Sequence, residues 1–167
     1  MVGLYFGAAW CGPCVRFTPV LDALYRQAPK DKLEVVFVSS CVDEAQHAAY
    51  TKDMPWPCIP YRDASNIGFI RKSIRDDTGK LQGRLANLFS ISSLPTFIIL
   101  DKNGKTIRRD GRNDVESQAQ VLDALKIWEN LKNQQQSNKS MAYSAAGITL
   151  LVAFGGAFFW RSRTSRT

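Results

Sequence analysis

Ligands for a metal are scarce in this chain. Its 167 residues include one histidine, His47, and four cysteines, of which only Cys11 and Cys14 lie close together. A structural zinc site takes four ligands, usually a second Cys-x-x-Cys or a histidine pair, so no metal is expected. Four cysteines are also too few for a disulfide-stapled secreted scaffold of this length. No secretory leader precedes the first strand-like residues, so the thiols are expected in a reducing compartment. Internal repeats are lacking. Basic and aromatic residues are not interleaved in the manner of a nucleic-acid-binding surface, and no nucleic-acid partner is expected. The net charge of +7 is unevenly placed: from Asn133 onward there are Lys139, Arg161, Arg163 and Arg166 and no acid at all.

Against these absences stands one dense motif, Ala8-Ala9-Trp10-Cys11-Gly12-Pro13-Cys14. It follows an apolar stretch, Val2 to Phe6, and opens a run with helical periodicity. Two thiols at this spacing suit reversible dithiol–disulfide exchange. At a helix N-terminus the free backbone N–H groups and the helix dipole favour negative charge. A thiolate is stabilised there and becomes a usable nucleophile near neutral pH. Cys14, one turn in, can resolve a mixed disulfide formed by Cys11. Gly12 permits a tight turn, and Pro13 fits the first helical turn, where a missing N–H is no loss.

The rest of the chain reads as alternating strands and helices. The helix from Cys11 carries Phe17, Val20, Leu21 and Leu24 and is interrupted by Pro19. Leu33 to Val38 reads as a central parallel strand. Asp43 to Asp53 is compatible with a helix, with His47 on its solvated face. Three prolines between Met54 and Pro60 exclude regular helix. Ala64 to Asp77 is basic and ambiguous. Lys80 to Phe89 reads as a helix with Leu81, Leu85 and Leu88 on one face. Phe97 to Leu100, the turn Asp101-Lys102-Asn103-Gly104 and Thr106 to Arg109 predict a hairpin. Val115 to Leu131 reads as one helix with Val121, Leu122, Leu125 and Trp128 or Leu131 inward. Cys41 and Cys58 read as small apolar residues, a regulatory role being the alternative.

The domain is expected to occupy residues 1–132. Residues 133–140 (NQQQSNKS) read as a polar linker. Ser140 to Trp160 has no charged residue, and about 20 residues at 1.5 Å each cross a ~30 Å hydrocarbon core. Residues 141–160 are therefore expected to form a transmembrane tail anchor, followed by a basic tail at 161–167. Tyr143 and Trp160 stand near its two ends, where interfacial aromatics belong.

Taken together, these residues resemble the thioredoxin superfamily, and within it the tryparedoxin/nucleoredoxin branch. Gly3-Leu4-Tyr5-Phe6 leading into Ala9-Trp10-Cys11-Gly12-Pro13-Cys14 is similar to the branch's strand-to-active-site junction. Phe17-Thr18-Pro19, Met54-Pro55-Trp56 with Ile59-Pro60, and Leu94-Pro95-Thr96 match its further motifs in order and rough spacing, over about Gly3 to Leu131. The resemblance implies an α/β thioredoxin-like fold, a central mixed sheet flanked by helices, here without the family's N-terminal strand and helix. It implies that Cys11 attacks and Cys14 resolves, that Trp10 forms a platform beside Gly12 and Pro13, and that Pro95, after Leu94, is the cis-proline facing the disulfide. Arg112 matches an arginine that helps hold trypanothione. Where the family has an acidic Trp-Asp-Glu, this chain has Ser40-Cys41-Val42.

The function so implied is a membrane-anchored protein-disulfide reductase. A low-molecular dithiol, trypanothione or glutathione, would supply electrons, and disulfide-containing proteins such as peroxiredoxins would receive them, with no further cofactor. The domain is expected on the cytosolic side, at the mitochondrial outer membrane rather than the endoplasmic reticulum. The alternative is a membrane-tethered adaptor or redox sensor of this fold with little turnover.

Overall fold

A computed structural model describes residues 1–64, 84–117 and 122–161, with Arg84 and residues 143–161 described by their backbone alone. In chain order the elements are β1 (Val2–Gly7), α1 (Gly12–Gln27), β2 (Glu34–Ser39), α2 (Glu44–Thr51), α3 (Tyr61–Ala64), α4 (Arg84–Leu88), β3 (Thr96–Leu100), β4 (Thr106–Arg108), α5 (Gly111–Ser117) and α6 (Asp123–Arg161). Met1–Glu129 form one compact unit and Asn130–Thr167 a second.

The sheet of the first unit runs β2-β1-β3-β4. β1 pairs in parallel with β2 from Val2↔Glu34 to Gly7↔Ser39. It pairs antiparallel with β3 from Val2↔Leu100 to Phe6↔Thr96, and β3 pairs antiparallel with β4. Side chains alternate between faces along a strand. Leu4 and Phe6 therefore join Val38, Ile98, Ala64, Ala86 and Ile91 in one cluster, while Tyr5, on the other face, meets Phe17, Phe37 and Trp56 edge-on. Both faces are covered, which is why the strands read as continuous apolar runs. Gly3 is required by packing: a Cβ there would lie 2.4 Å from the buried ring of Phe97. The hairpin turn closes as expected, with Gly104 at φ 77 and Asp101 Oδ1 accepting the N–H groups of Asn103 and Lys105.

α1 buries Cys14, Phe17, Leu21, Leu24 and Tyr25; of the expected stripe Phe17, Leu21 and Leu24 are buried and Val20 only partly, and the helix runs on through Pro19. The proline-rich segment lies along β2, where Phe37 N–H donates to Pro57 O and Ile59 N–H to Phe37 O.

Four expectations are corrected. His47 is 9% exposed and not solvated; its ring stacks on Phe37 and tilts against Tyr61. The helix expected over Val115 to Leu131 is two, α5 and α6. The buried Val115, Leu125 and Trp128 keep the apolar rhythm across the interruption, which is why the sequence reads as continuous; residues 118–121, Val121 among them, lie outside the described residues. In α4 Leu88 is exposed. The chain leaves the helix through Ser90 at φ 52, and Ile91 N–H closes on Ala86 O, a left-handed helix end that turns Ile91 inward in place of Leu88. The strand expected to be central over Leu33 to Val38 is β2, at an edge of the described sheet. Residues 133–140 are helical within α6.

The backbone of 141–160 also belongs to α6. Among the described residues, no helix is long and apolar enough to cross a membrane, so the expected anchor gains no support from the structure. The basic stretch at 65–77, most of the start of the expected Lys80 helix, and the tail beyond Arg161 lie outside the described residues.

Candidate active site

β1 ends at Gly7, and Ala8-Ala9-Trp10 carry the chain into α1. Cys11 is the N-cap, with extended backbone (φ −88, ψ 100) and proline in the first turn behind it. Its Sγ accepts the Cys14 N–H at 3.3 Å, while Cys11 N–H donates back to Ala8 O and Val15 N–H to Cys11 O. A side-chain acceptor at this position satisfies one of the helix's free N–H groups. Here that acceptor is sulfur, the atom exchange chemistry needs as an anion. Cys11 and Cys14 are joined in a disulfide with Cα atoms 5.2 Å apart, inside the usual range for that bond. Cys11 is 6% exposed and Cys14 fully buried, so an incoming disulfide reaches Cys11 first.

The other expected residues fall around this pair. Trp10 is 44% exposed, and its Nε1–H donates to Ser40 O at 2.8 Å, which holds an apolar ring open to solvent beside the dithiol. Gly12 and Pro13 form the exposed first turn of α1. The Leu94–Pro95 bond is cis. Because Thr96 pairs with Phe6, Pro95 lies at the sheet end from which β1 feeds the cysteines, and Leu94 packs against the cluster that contains them. Arg112 is engaged within α5: its Nε lies 2.9 Å from Glu116 Oε2, one turn on, without hydrogen-bond alignment, and its guanidinium sits over the Phe17 ring of α1.

Several residues of the site carried little signal in sequence. Cys41 is buried in the same cluster as Cys11, Cys14, Ala8 and Tyr61, and Ala9 N–H donates to its Sγ at 3.5 Å. Cys58 is not a member of that cluster; its Sγ donates to Trp56 O, and burial pushes its thiol above the usual range. The hydroxyls of Tyr5 and Thr18 reach the carbonyl of Cys14, and the Tyr50 hydroxyl bonds Thr18 behind them. The signal that could have found them is Tyr5 itself, since a tyrosine inside a buried strand needs a partner for its hydroxyl. Among the described residues no group of His, Cys, Asp and Glu could hold a metal ion.

Comparison with known proteins agrees with this geometry. Residues 1–106 match the thioredoxin-like family. A probable nucleoredoxin 1 from Arabidopsis thaliana is 37% identical over 117 residues, covering 70% of this chain and 18% of that protein. Bos taurus nucleoredoxin is 36% identical over 116 residues, covering 68% of this chain and 23% of its own length. The chain thus spans about a fifth of the length of these relatives. Among solved structures, a tryparedoxin II complexed with glutathionylspermidine aligns at TM-score 0.56 and 28% identity, over 70% of this chain and 72% of that one. The tryparedoxin of Trypanosoma brucei aligns at TM-score 0.55 and 30% identity, with the same coverage. With a disulfide closing the first turn of α1 beside a cis-proline, and a family match over most of the first unit, the chain belongs to the thioredoxin-like family.

Proposed function

We propose that this protein is a thiol–disulfide oxidoreductase that reduces protein disulfides. The observation that carries the reading is the Cys11–Cys14 disulfide at the α1 N-terminus, with Cys11 Sγ accepting a helix N–H. In the reduced form the Cys11 thiolate attacks a target R–S–S–R′. One S–S bond breaks, R′–S⁻ departs and a Cys11–S–S–R bond forms. Cys14 then attacks Cys11 Sγ, R–S⁻ departs with its electron pair, and the Cys14 proton ends on a departing thiolate. Two electrons reach the target, and the Cys11–Cys14 disulfide is restored. Trp10 and the backbone beside Leu94 and Pro95 form the docking surface, where an extended substrate segment can pair with the chain.

A low-molecular dithiol reduces the disulfide again. Trypanothione or glutathione fits this role, since a related fold is known in complex with glutathionylspermidine, and disulfide forms of peroxiredoxins are suitable targets. Residues 141–160 would tether the domain to a membrane, facing the cytosol. Their uncharged run and the flanking Arg161, Arg163 and Arg166 favour the mitochondrial outer membrane.

The test is turnover of the full chain on insulin and on an oxidised peroxiredoxin, driven separately by trypanothione, glutathione and thioredoxin reductase. Turnover that Cys11→Ser abolishes supports the reductase. A folded protein without turnover, whose Cys11→Ser form keeps its binding partners, is an adaptor instead. Replacing Arg161, Arg163 and Arg166 with Ser should redirect the protein from mitochondria; unchanged targeting refutes the membrane assignment.

A further inference from the structure

A buried hydroxyl cluster lies beneath the disulfide and has no part in the exchange as written above. Tyr5 OH donates to the Cys14 carbonyl at 3.1 Å, and Thr18 Oγ1 reaches the same oxygen at 3.0 Å. Tyr5 and Thr18 stand 2.9 Å apart, and Tyr50 OH lies 2.8 Å from Thr18 Oγ1 and 3.4 Å from Tyr5 OH. With Tyr50 donating to Thr18, and Thr18 to Tyr5 or to Cys14, the single Tyr5 proton is left for the Cys14 carbonyl. Burial is the main reason the Tyr5 phenol is held far above the ordinary tyrosine range, so it remains a donor whenever the enzyme works.

The turn bearing this carbonyl is weakened on its C-terminal side. Pro19 has no N–H to give to Val15 O, and its ring crowds that same turn, so the helix ladder is interrupted directly after Cys14. A threonine that bonds the carbonyl four residues back bends a helix further. The turn bearing Cys14 is therefore tied to β1 directly through Tyr5 and to α2 through Tyr50, which bonds Thr18. Cys11 is held by its own N–H, which donates to Ala8 O, and by the Cys14 N–H that its Sγ accepts. The hydroxyl contacts fall on Cys14 and not on Cys11.

We propose that Tyr5, backed by Thr18 and Tyr50, is a positioning residue that fixes Cys14 for the second, resolving step of exchange. The inference rests on the reading of Cys14 as the resolving thiol. It predicts that losing the hydroxyl slows resolution and leaves the first attack unchanged.

The experiment is stopped-flow reaction of the reduced full chain with an aromatic disulfide, dithiobis(nitrobenzoate), whose two thiolates absorb as they depart. The first release reports attack by Cys11, the second reports resolution by Cys14. Tyr5→Phe keeps the ring packed against Phe17, Phe37 and Trp56 and removes only the hydroxyl. Its second release should slow about fivefold, the net worth of one hydrogen bond, with the first release unchanged. Thr18→Val should slow the second release and Thr18→Ser restore it; Tyr50→Phe should have the smallest effect, in the same step. A second release at the wild-type rate in Tyr5→Phe and Thr18→Val overturns the proposal. So does equal slowing of both releases together with a fall in the thermal midpoint, which marks a purely structural role. If the wild-type chain itself releases no second equivalent, the assignment of Cys14 fails, a result separate from either variant outcome.

Discussion

α1 and α2 both begin with a side chain that accepts the backbone N–H three residues on. Cys11 Sγ takes the Cys14 N–H at 3.3 Å, and Asp43 Oδ1 takes the Gln46 N–H at 2.7 Å. At α2 the acceptor is a carboxylate oxygen, and the start is closed further by Gln46 Oε1, which accepts the Val42 N–H. At α1 the acceptor is a sulfur that becomes an anion only in the reduced protein and is otherwise tied to Cys14. The same local device thus ends on a carboxylate oxygen in one helix and on a disulfide sulfur in the other. A third start, α5, differs from both. Asp114 stands in its first turn yet binds outward, to Arg108 Nε and Nη2 at 2.9 and 2.7 Å and to Trp128 Nε1 at 2.8 Å. There a buried carboxylate ties β4, α5 and α6 together, and its hydrogen bond holds the Arg108 guanidinium even more firmly protonated.

The sharpest way to separate capping from chemistry is Cys11→Ser. Serine is a good N-cap, so disulfide reduction should fall to background while the thermal midpoint of the reduced protein stays close to wild type. A large loss of stability would mean that sulfur does more at this position than cap. Next in size is Asp114→Ala. Breaking a buried pair costs several kcal/mol; with the Arg108 side chain 37% exposed, about 2 to 3 kcal/mol is expected once screening is allowed for. Urea titration of the single variants and of the Arg108/Asp114 double-mutant cycle measures it, and additivity of the two would break the comparison with the helix caps.

Asp43→Ala should cost about 1 kcal/mol and leave turnover unaltered, with Asp43→Ser restoring the midpoint. Equal loss of activity would show that the α2 start also belongs to the active site. The smallest effect concerns His47, in the second turn of the same helix. Its Nδ1 is buried with no partner among the described residues, and burial holds its pKa below the ordinary value against an opposing pull from Glu44. The unfolded chain therefore binds this proton first as pH falls. The contribution is full above about pH 6.5 and shrinks as pH drops from there toward the folded value. His47→Phe should flatten the decline in thermal midpoint between neutral pH and that lower value; an unchanged slope would mean that the imidazole is protonated in place.

The α1 start was legible because everything it needs lies within four residues. Spacing alone sets Cys11 at the cap, Pro13 in the first turn and Cys14 one turn in. The hairpin at Asp101–Gly104 was legible for the same reason. The reading of Leu88 as inward failed because apolar periodicity cannot register the left-handed end at Ser90, which brings Ile91 inward instead.

Sequence by itself determined the dithiol, the strand character of β1, β2 and β3, and the buried stripe of α1, because those follow from local conformational preference and the period of apolar residues. Only the tertiary structure decided which side chains meet across the sheet: Tyr5 with Thr18 and Tyr50, Cys41 with Ala9 beside the disulfide, Asp114 with Trp128, and His47 between Phe37 and Tyr61. Those contacts join residues on different elements, and the register of β1 between β2 and β3, with the placement of the helices on the two faces, brings them within bonding distance.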